Sequence, residues 1–466
     1  MTTINFPRWK SSTRRYLAAL ATCGPVACGG GSDAPIILTT TLPVTPTSSA
    51  QPAPVLTLIG NENPYVNTLY TYEATVTGAT ATGHTWTWGD GSANSVGNPV
   101  NKVWSRVGTF TANLSGSVSG TALTGSKSGG VKAIPVAPSY SHTCQLLADS
   151  TVTCQGSNSQ GQLGNGTLIS STTPVVVTGL TGVKALSVGN THACALKSDG
   201  TVACWGRNSS GELGNGSTTS SNVPVTVTGV TGATTIESGT NHTCVIKSDT
   251  TVACWGDNLV GKLGSGASGG VSTTAVAVTG LTGAVQVVGG DNHTCVLKSD
   301  TSVVCFGNNS NGQLGNNTLV NANTPVPVSG LSGVAAIGNG YNSSCALKTD
   351  GTVMCWGFNA FAQLGDGTTT DKLVPTTVSG LTGVISLNAT GAFSTCALKS
   401  TGTVACWGYN ATGGLGDGTT IQRATPVTVT VAGVSGIAAI AGRHGQTTCA
   451  IKPDNTQICW GTPASS

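Results

Sequence analysis

Cysteine is the residue whose number and spacing could do the most chemistry in this sequence. Sixteen cysteines are present, and fourteen of them form seven pairs whose members lie ten positions apart. Such pairs could bind zinc or form disulfides, but structural zinc sites usually separate two cysteines by about two to four residues, so the spacing favours disulfides. The pairs are Cys144 with Cys154, Cys194 with Cys204, Cys244 with Cys254, Cys295 with Cys305, Cys345 with Cys355, Cys396 with Cys406, and Cys449 with Cys459. Because disulfides persist in oxidising compartments, the pattern predicts an exported protein.

Histidine is the second candidate, because four histidines recur in phase with the cysteines. The position two residues before the first cysteine of a pair is occupied by His142, His192, His242, His293, Ser343, Ser394 and Thr447. A ring of histidines could bind a metal ion. A position that accepts His, Ser or Thr is better explained as a hydrogen-bonding residue at the start of a strand, and we expect no metal there.

Other candidate motifs for chemistry are weak. Gly-Asp-Gly-Thr sequences at 365–368 and 416–419 carry fewer carboxylates than a calcium-binding loop requires. No Ser-His-Asp arrangement, phosphate-binding loop or pair of carboxylates is visible in the sequence. We therefore expect no cofactor and no enzymatic activity.

A tight hairpin positions each cysteine pair. In the segment Cys194–Gly206, Asp199-Gly200 has the composition of a three-residue hairpin loop. A turn centred on Asp199 places Lys197 opposite Thr201 and Cys194 opposite Cys204. Ser150, Thr250 and Thr301 replace the turn glycine in their units. Because threonine rarely adopts the left-handed conformation, we expect those turns to be of another type.

The hairpin belongs to a repeat, since the first cysteines of successive pairs lie 50 to 53 residues apart. Each unit has an apolar strand, the hairpin, the signature Trp205-Gly206-x-Asn208-x-x-Gly211-x-Leu213-Gly214, and a later strand with Pro224-Val225. Four strands per unit at this period predict a propeller blade. The aromatic residue after the second cysteine recurs as Trp205, Trp255, Phe306, Trp356, Trp407 and Trp460, with Gln155 as the exception. We interpret these aromatic residues as core between blades.

The recurring motifs His-x-Cys-x-Leu, Asp-Gly-x-Val, Cys-Trp-Gly-x-Asn, Gly-Gln-Leu-Gly and Pro-Val resemble the regulator of chromosome condensation repeat family over residues 137–466. The resemblance implies a seven-bladed β-propeller, in an exported bacterial version. The last unit lacks its Pro-Val strand, so either the seventh blade has three strands or a segment near residues 118–128 closes the ring. The family's founder is a nucleotide exchange factor for a small GTPase, which gives an alternative function that the cysteine pairs disfavour.

Residues 53–136 contain no cysteine and differ in composition from the repeats. One tight turn and the strand before it contain Trp86, Gly89, Asp90 and Gly91. A later stretch, Trp104 to Phe110, has the pattern aromatic-x-x-x-Gly-Thr-aromatic. These residues resemble the polycystic kidney disease (PKD) type domain, which implies an immunoglobulin-like β-sandwich that acts as a surface module. We interpret Asp90 as a turn residue whose carboxylate caps neighbouring N–H groups.

The first residues resemble a bacterial export signal. Residues 1–28 combine a positive start with a short run of apolar and small residues, as signal peptides do. Val26-Ala27-Cys28-Gly29 resembles a lipoprotein cleavage site, which implies lipidation at Cys28, with Cys23 as the alternative and plain secretion as a third reading. Residues 29–52 are rich in Thr, Pro and Ser and suit an extended tether.

Composition bounds the remaining function classes. Charged residues make up 8% of the chain, and the leader holds four of its 20 basic residues, which leaves 16 basic against 17 acidic. No basic surface follows, so we expect no nucleic-acid partner. The sequence predicts an all-β, monomeric, exported binding or scaffold protein, anchored in the outer membrane or secreted. We expect its polar loops after each Leu-Gly to contact a protein or a glycan. A hydrolase or lyase that uses the propeller channel is disfavoured by the missing acid or metal cluster.

Overall fold

Strand-forming residues dominate the computed structural model of the chain. It describes residues 38–41, 55–62, 64–77, 80–90, 94–104, 108–118, 121–132, 134–388, 393–442 and 447–461. These residues form 35 strands, as expected from a sequence rich in Val, Thr and Gly. Cys23, Cys28 and Gly91 lie outside the described residues, as does most of the Thr/Pro-rich segment. Within the described residues, no helix is long and apolar enough to span a bilayer.

The first eight strands form two antiparallel four-stranded sheets. They are β1 (Leu38–Thr41), β2 (Val55–Ile59), β3 (Leu69–Thr77), β4 (Ala81–Thr87), β5 (Ser95–Val96), β6 (Val100–Val103), β7 (Gly108–Val118) and β8 (Thr121–Val131). The strand orders are β1-β2-β3-β6 and β5-β4-β7-β8. Both sheets contribute to one core, in which Tyr72, Trp86, Trp88 and Trp104 pack edge to face or stacked. We call residues 55–132 the first domain.

The repeats form seven sheets, which we call blades 1 to 7. Blades 1 to 3 comprise β9 (Val136–Pro138), β10 (His142–Leu146), β11 (Val152–Gly156), β12 (Ser171–Val176); β13 (Val183–Val188), β14 (His192–Lys197), β15 (Val202–Gly206), β16 (Ser221–Thr226); and β17 (Ala233–Ser238), β18 (His242–Lys247), β19 (Val252–Asp257), β20 (Val271–Ala277). Blades 4 and 5 comprise β21 (Ala284–Gly289), β22 (His293–Lys298), β23 (Val303–Gly307), β24 (Ala322–Pro327); and β25 (Val334–Asn339), β26 (Ser343–Lys348), β27 (Val353–Gly357), β28 (Lys372–Thr377). Blades 6 and 7 comprise β29 (Val384–Asn388), β30 (Ser394–Lys399), β31 (Val404–Gly408), β32 (Arg423–Thr428); and β33 (Ala439–Gly442), β34 (Thr447–Ile451), β35 (Gln457–Gly461).

Six blades have four strands, as the repeat predicted, and the described part of blade 7 has three. The first strand of each blade contacts that of the next, and β33 contacts β9, so the blades form a closed ring. The segment near residues 118–128 does not close this ring. Its residues belong instead to β7 and β8 of the first domain. These two strands form one uninterrupted antiparallel hairpin, in which Gly108 pairs with Val131 and Val118 with Thr121.

The hairpin register is the one that the spacing predicted. Cys194 lies opposite Cys204 and Leu196 opposite Val202, and Lys197 N–H donates to the Thr201 carbonyl. All seven cysteine pairs are directly opposed, with their sulfurs at bonding distance and their Cα atoms 4.0 to 4.1 Å apart.

The expectation of another turn type in three units was wrong. Ser150, Thr250 and Thr301 have φ angles of 67°, 65° and 67°, in the same left-handed region as Gly200. Local hydrogen bonds hold this conformation against its steric cost. The Asp249 carboxylate accepts from both the N–H and the hydroxyl of Thr251, and the Thr250 hydroxyl accepts from Gly283 N–H.

The recurring tryptophan packs between blades. Trp255 of blade 3 lies fully buried against Cys194, Cys204 and Leu213 of blade 2. A Cβ on Gly214 would stand 2.8 Å from the Trp255 ring, which explains the glycine of the Leu-Gly motif. Gln155 is the exception and is exposed in blade 1. Blade 7 precedes it in the ring and has no Leu-Gly segment among its described residues to cover an aromatic ring.

The first domain packs on one end of the propeller. We call this end the turn face, because the hairpin turns such as 349–351 lie there. Asn101 donates to the Thr349 carbonyl at 2.9 Å, and the Tyr65 hydroxyl donates to Asn455 Oδ1 at 2.8 Å. Tyr65 also lies in a core with Val136 of blade 1 and Ala439 of blade 7. Residues 33–466 accordingly form one compact unit.

Candidate functional site

The end of the propeller opposite the first domain carries the loops that precede β26 and follow β27, and their equivalents in the other blades. We call this end the loop face. Tyr341 precedes β26 and Phe358 follows β27, and the turn at 349–351 joins these two antiparallel strands. Tyr341 and Phe358 therefore lie at the end of the hairpin opposite that turn. The first domain makes its hydrogen bonds from Tyr65 and Asn101 to the blades at the opposite end, the turn face.

Five aromatic side chains of blades 5 and 6 meet on the loop face. The members of this aromatic patch are Tyr341, Phe358, Phe361, Phe393 and Tyr409. Phe361 is central, with ring centroids 4.6 Å from Phe393 and 5.3 Å from Tyr409. All five side chains are partly exposed. The patch is therefore a continuous apolar surface rather than part of the buried core.

The patch arises at repeat positions that are polar in most of the other blades, with Val260 of blade 3 as an apolar exception. Phe358 and Tyr409 directly follow Trp-Gly or its equivalent, where blades 2 and 4 carry Arg207 and Asn308. Phe361 occupies the position of Ser210 in blade 2. The sequence reasoning missed this patch because it compared the residues that all units share. The signal that could have found it is the change from polar to aromatic residues at positions that otherwise vary.

Backbone strain accompanies the patch. Ala362 follows Phe361 with a φ of 60°, at a position that is glycine in the equivalent loops of the other blades. A non-glycine residue in the left-handed region costs roughly 1 kcal/mol, and such strain concentrates at functional sites. The Gln363 side chain offsets part of this cost, because it accepts a hydrogen bond from Phe361 N–H at 3.0 Å.

Blades 3 and 4 give the loop face a charged sector beside the patch. Lys262 is fully buried and pairs with Asp257 at 2.6 Å. The same ammonium group donates to Asn292 Oδ1 at 2.8 Å and to the Asp291 carbonyl at 3.2 Å. Because a buried charge without a partner is costly, this ion pair fixes the adjoining loops in one arrangement.

A hydrogen bond connects the charged sector to the patch. Burial raises the pKa of the Asp291 carboxyl, and the neighbouring Lys262 ammonium opposes that rise. Burial and the neighbouring Asp291 carboxylate raise the pKa of the Tyr341 hydroxyl. The Asp291 N–H donates to the Tyr341 carbonyl at 3.0 Å, which fixes the edge of the patch next to blade 4.

The recurring histidines bond one blade to the next. His192 Nε2 lies 2.9 Å from Thr243 Oγ1, and His242 and His293 make the same contact to Thr294 and Ser344. The structure thus places these histidines at strand starts, where they bridge blades. His142 differs, because blade 2 has Ala193 where the other blades have a hydroxyl, and His142 Nε2 is buried without a partner among the described residues.

We expect the folded protein to lose stability as the solution becomes more acidic, because of His142. Burial lowers the pKa of His142 from 6.5 to about 4. The unfolded chain then binds a proton that the folded chain excludes, so this stability is full above about pH 7 and declines as the pH falls from 6.5 toward 4. The loss should reach roughly 3 kcal/mol. Denaturant titrations of wild type and His142→Ser at pH 7.5 and 4.5 measure it, since Ser343 shows that serine fits this position.

The aspartates of the hairpin turns do not change the stability between pH 6.5 and 4. Hydrogen bonds from Thr201 and from Ser302 lower the pKa values of Asp199 and Asp300 to about 2, so their contributions are lost below pH 4. An equal pH dependence in wild type and His142→Ser would contradict the assignment to His142.

Ala193→Thr should stabilise the protein by about 1 kcal/mol, the usual net value of a buried hydrogen bond. The new hydroxyl would occupy the position of Thr243 and give His142 Nε2 the partner that it lacks. Denaturant unfolding at pH 7.5 measures the gain. In a His142→Ala background the gain should vanish, and a gain of equal size there would show that threonine stabilises by another route.

The central channel is narrow. A cavity of about 130 Å³ lies between the first strands of the blades, and Asn67 of the first domain lines its end. Gln286 spans the wall by bonding to both the N–H and the carbonyl of Ile337. Among the described residues that line this cavity, Glu237 alone is titratable, and one carboxylate provides no acid–base pair.

The sequence-predicted site residues are thus distributed rather than gathered. Each cysteine pair and each recurring aromatic residue stays within its own blade or contact between two blades. Asp90 pairs with Lys102 at 2.6 Å, a contact that the sequence analysis did not foresee. Asn208 closes the polar loop after Leu-Gly, donating to the carbonyls of Ser217 and Thr219. Across the described ranges, no group of three His, Cys, Asp or Glu residues could hold a metal ion.

Comparison with protein families identifies the repeats. Two models of the regulator of chromosome condensation (RCC1) repeat match the chain, one at residues 183–212, 284–313 and 334–363, the other at 153–196, 199–246, 302–347 and 350–398. No match to the chain is found among curated proteins. The chain therefore contains RCC1 repeats, as the recurring motifs predicted.

Solved structures show the same propeller. Human WBSCR16 matches with a TM-score of 0.59 at 24% identity, over 66% of this chain and 83% of that chain. Yeast RCC1 (Prp20), bound to Kap60, matches with 0.58 at 21% identity, over 66% and 78%. Prp20p of Saccharomyces cerevisiae, described with its binding to Gsp1p and histones, matches with 0.58 at 22% identity, over 68% and 82%. At these identities the likeness shows the fold alone.

Proposed function

We propose that this chain, whose RCC1 repeats form the propeller, is a non-enzymatic exported binding or scaffold protein that contacts a protein or a glycan through its aromatic patch. The patch is the observation that carries the proposal. Partly exposed aromatic residues that form one surface are typical of binding sites, and here they replace residues that are polar in sister blades.

The arrangement of the rings favours a protein partner over a glycan. The rings of Phe361 and Phe393 are tilted by 45°, and those of Phe361 and Tyr409 by 81°. Rings that pack against one another at such angles present edges and clefts rather than one flat platform. Clefts between aromatic rings accept apolar side chains, and the neighbouring polar groups of blades 3 and 4 suit the rim of a protein interface.

The test replaces two residues of the patch with residues that other blades carry at the equivalent positions. Phe358→Asn/Phe361→Ser gives blade 5 the residues found at Asn308 in blade 4 and Ser210 in blade 2. The full protein and this variant are used to capture envelope proteins, and each captured protein is purified and titrated against both. Loss of two central aromatic residues should weaken binding by roughly tenfold or more.

The matched control changes exposed apolar residues elsewhere. Leu168→Thr/Ile169→Thr converts a loop tip of blade 1 to the Thr218-Thr219 of blade 2, and both side chains are highly exposed. This variant should bind as the wild type does. If neither variant alters binding of any purified protein or of a glycan array, the patch is not the binding surface.

The first domain and the leader fit the same proposal. The two sheets of the first domain share one core that contains Trp86 and Trp88, which supports a PKD-type β-sandwich that spaces the propeller from a lipid anchor at Cys28. Cys23 is the alternative anchor, and a secreted or periplasmic protein is the alternative location. Incorporation of labelled palmitate into wild type but not into Cys28→Ala would support the anchor at Cys28, and incorporation that survives this change would exclude it.

An exchange-factor-like regulator of a small GTPase remains the alternative function. It rests on the relatives alone, and it requires the cytosol, where cysteine pairs stay reduced. Titration of free thiols in the isolated protein discriminates the two functions, because oxidised pairs fit the exported binding protein and fourteen free thiols fit the regulator.

A further inference from the structure

Two pairs of apolar side chains project from the loop face at equivalent positions of blades 1 and 4. They are Leu168-Ile169 and Leu319-Val320, which lie five and six residues after the leucine of the Leu-Gly motif in each blade. Leu168 and Ile169 are 59% and 75% exposed, and Leu319 and Val320 are 56% and 72% exposed. We call these two pairs the apolar tips. Their closely matched exposures indicate that both loops present the pair to solvent in the same way.

Hydrogen bonds within each loop fix the apolar tips in place. The side-chain amide of Asn158 donates to the carbonyls of Thr167 and Ile169 in blade 1. Asn309 donates in the same way to the Thr318 carbonyl in blade 4. Because these bonds hold the loop backbone from below, the apolar side chains stay on its outer side.

The apolar tips are not needed to fold these loops. Blades 2 and 5 carry Thr218-Thr219 and Thr369-Thr370 at the same positions. Their loops are nevertheless closed by the same hydrogen bonds, which Asn208 and Asn359 donate. Large apolar side chains that are exposed without a structural role point to a contact outside the propeller.

The two apolar tips lie far apart on the ring but at one height. Blades 1 and 4 are three places apart in a closed ring of seven, so the tips stand on nearly opposite sides of the channel. Since propeller blades are equivalent units arranged about one axis, equivalent loop positions lie at the same level along that axis. A flat surface contacts both tips at once, whereas a globular partner on one tip would have to extend over the channel mouth to reach the other.

Blade 3 adds apolar side chains to the same face between the two tips. Leu259 follows β19, Val271 begins β20, and both side chains are exposed. Contacts in blades 1, 3 and 4 define a plane rather than a line. The three loops that follow Leu-Gly in these blades, residues 165–171, 265–272 and 316–322, contain no charged side chain. No charge therefore has to leave water when these loops enter an apolar medium.

The turn face has the opposite character. The hairpin turns of blades 2 to 5 each carry a lysine–aspartate ion pair with a separation of 3.0 to 3.7 Å. The first domain also packs on this face, through Tyr65 and Asn101. The loop face is therefore the end of the propeller that suits contact with an apolar medium.

We propose that the loop face docks on the surface of a lipid bilayer, with the apolar tips inserted between the lipid headgroups. Burial of Leu168, Ile169, Leu319 and Val320 would supply the affinity, as it does for other proteins that lie in the bilayer interface. Because the inserting loops are uncharged, docking would not require anionic lipids. The proposal goes beyond the aromatic patch, which lies on blades 5 and 6 and is tested with purified proteins in the absence of lipid.

The experiment sediments the full chain with vesicles of phosphatidylcholine, a lipid without net charge. Every sample carries Cys23→Ala/Cys28→Ala, so that no attached lipid contributes. The protein with intact tips should bind, and equally well at low and high salt. Leu168→Thr/Ile169→Thr should weaken partitioning by roughly tenfold, as should Leu319→Thr/Val320→Thr. All four changes together should weaken it by roughly a hundredfold, because the two tips are far apart and act independently.

Val176→Thr is the matched control. Val176 is an exposed valine at the end of β12 that lies toward the turn face, and blade 2 carries Thr226 at the equivalent position. This variant should sediment with vesicles as the protein with intact tips does. Far-UV circular dichroism checks that every variant is folded, which we expect because each change introduces a residue that a sister blade already carries.

Four results would overturn the proposal. The first is absence of binding to phosphatidylcholine vesicles, and the second is equal binding by the variant with all four changes. The third is binding only to vesicles that contain phosphatidylglycerol, lost at high salt, which would assign the contact to charge. The fourth is self-association without vesicles that the four changes abolish, which would assign the apolar tips to a second copy of the chain.

Discussion

Reduction of the cysteine pairs is expected to unfold the propeller at room temperature. Each pair closes a loop of about ten residues, which constrains the unfolded chain by roughly 2.5–3 kcal/mol. Seven such constraints amount to about 20 kcal/mol as an upper limit, which exceeds the typical net stability of about 5–15 kcal/mol. Tryptophan fluorescence and far-UV circular dichroism, followed while dithiothreitol is added, measure the effect.

Removing a single cysteine pair measures how much one disulfide contributes to the free energy of unfolding. Cys345→Ala/Cys355→Ala removes one constraint from blade 5 and should lower the free energy of unfolding by about 2–3 kcal/mol. In excess reductant, the variant and the wild type should become nearly equal, apart from the packing of two buried sulfurs. If the isolated protein contains fourteen free thiols and tolerates reductant unchanged, the pairs are not disulfides and the proposed exported location falls with them.

Trp407→Ala should destabilise the propeller by about 3–5 kcal/mol, the usual cost of truncating a fully buried tryptophan. Its ring fills the space between blades 5 and 6 against Leu364, Val378 and the cysteine pair of blade 5. The loss comes from packing, because the Gln363 carbonyl that accepts the indole N–H keeps a second donor in the Thr395 hydroxyl. Guanidinium unfolding measures it.

The chain supplies the control for this change. Phe306 occupies the same position in blade 4 and is fully buried, so phenylalanine fits the site. Trp407→Phe should therefore cost about 1 kcal/mol, the net value of the lost hydrogen bond. Equal losses for Trp407→Phe and Trp407→Ala would show that the hydrogen bond, rather than ring volume, holds the two blades together.

The propeller could be predicted from the sequence because its information is local and repeated. Cys194 and Cys204 set the register of one hairpin, and the 50-residue period then places the same hairpin in every blade. The turns at Thr250 and Thr301 could not be predicted this way. Their left-handed conformation is accompanied by hydrogen bonds within the turn, as from Ser302 to Asp300, and at Thr250 also by one from Gly283 of a neighbouring loop, which outweigh the intrinsic preference of threonine.

The candidate site could not be predicted from the shared motifs, because it consists of departures from them. In the sequence, Tyr409 lies 51 residues after Phe358 and 48 residues after Phe361, and only the ring of blades brings these residues of blades 5 and 6 together. That the described part of blade 7 has three strands agrees with the absence of a Pro-Val segment from the last unit.

The contact between blade 7 and blade 1 is one place where a pulling force would act on the molecule. No shared strand joins blades 7 and 1 among the described residues; Tyr65 packs across both, and its neighbour Val66 bonds to Lys132 just before blade 1 begins. A pulling force that enters through the first domain therefore acts on the joint between blades 7 and 1 through Tyr65, and on blade 5 through Asn101. Each of the seven cysteine pairs lies within a single blade, so the pairs do not reinforce this joint.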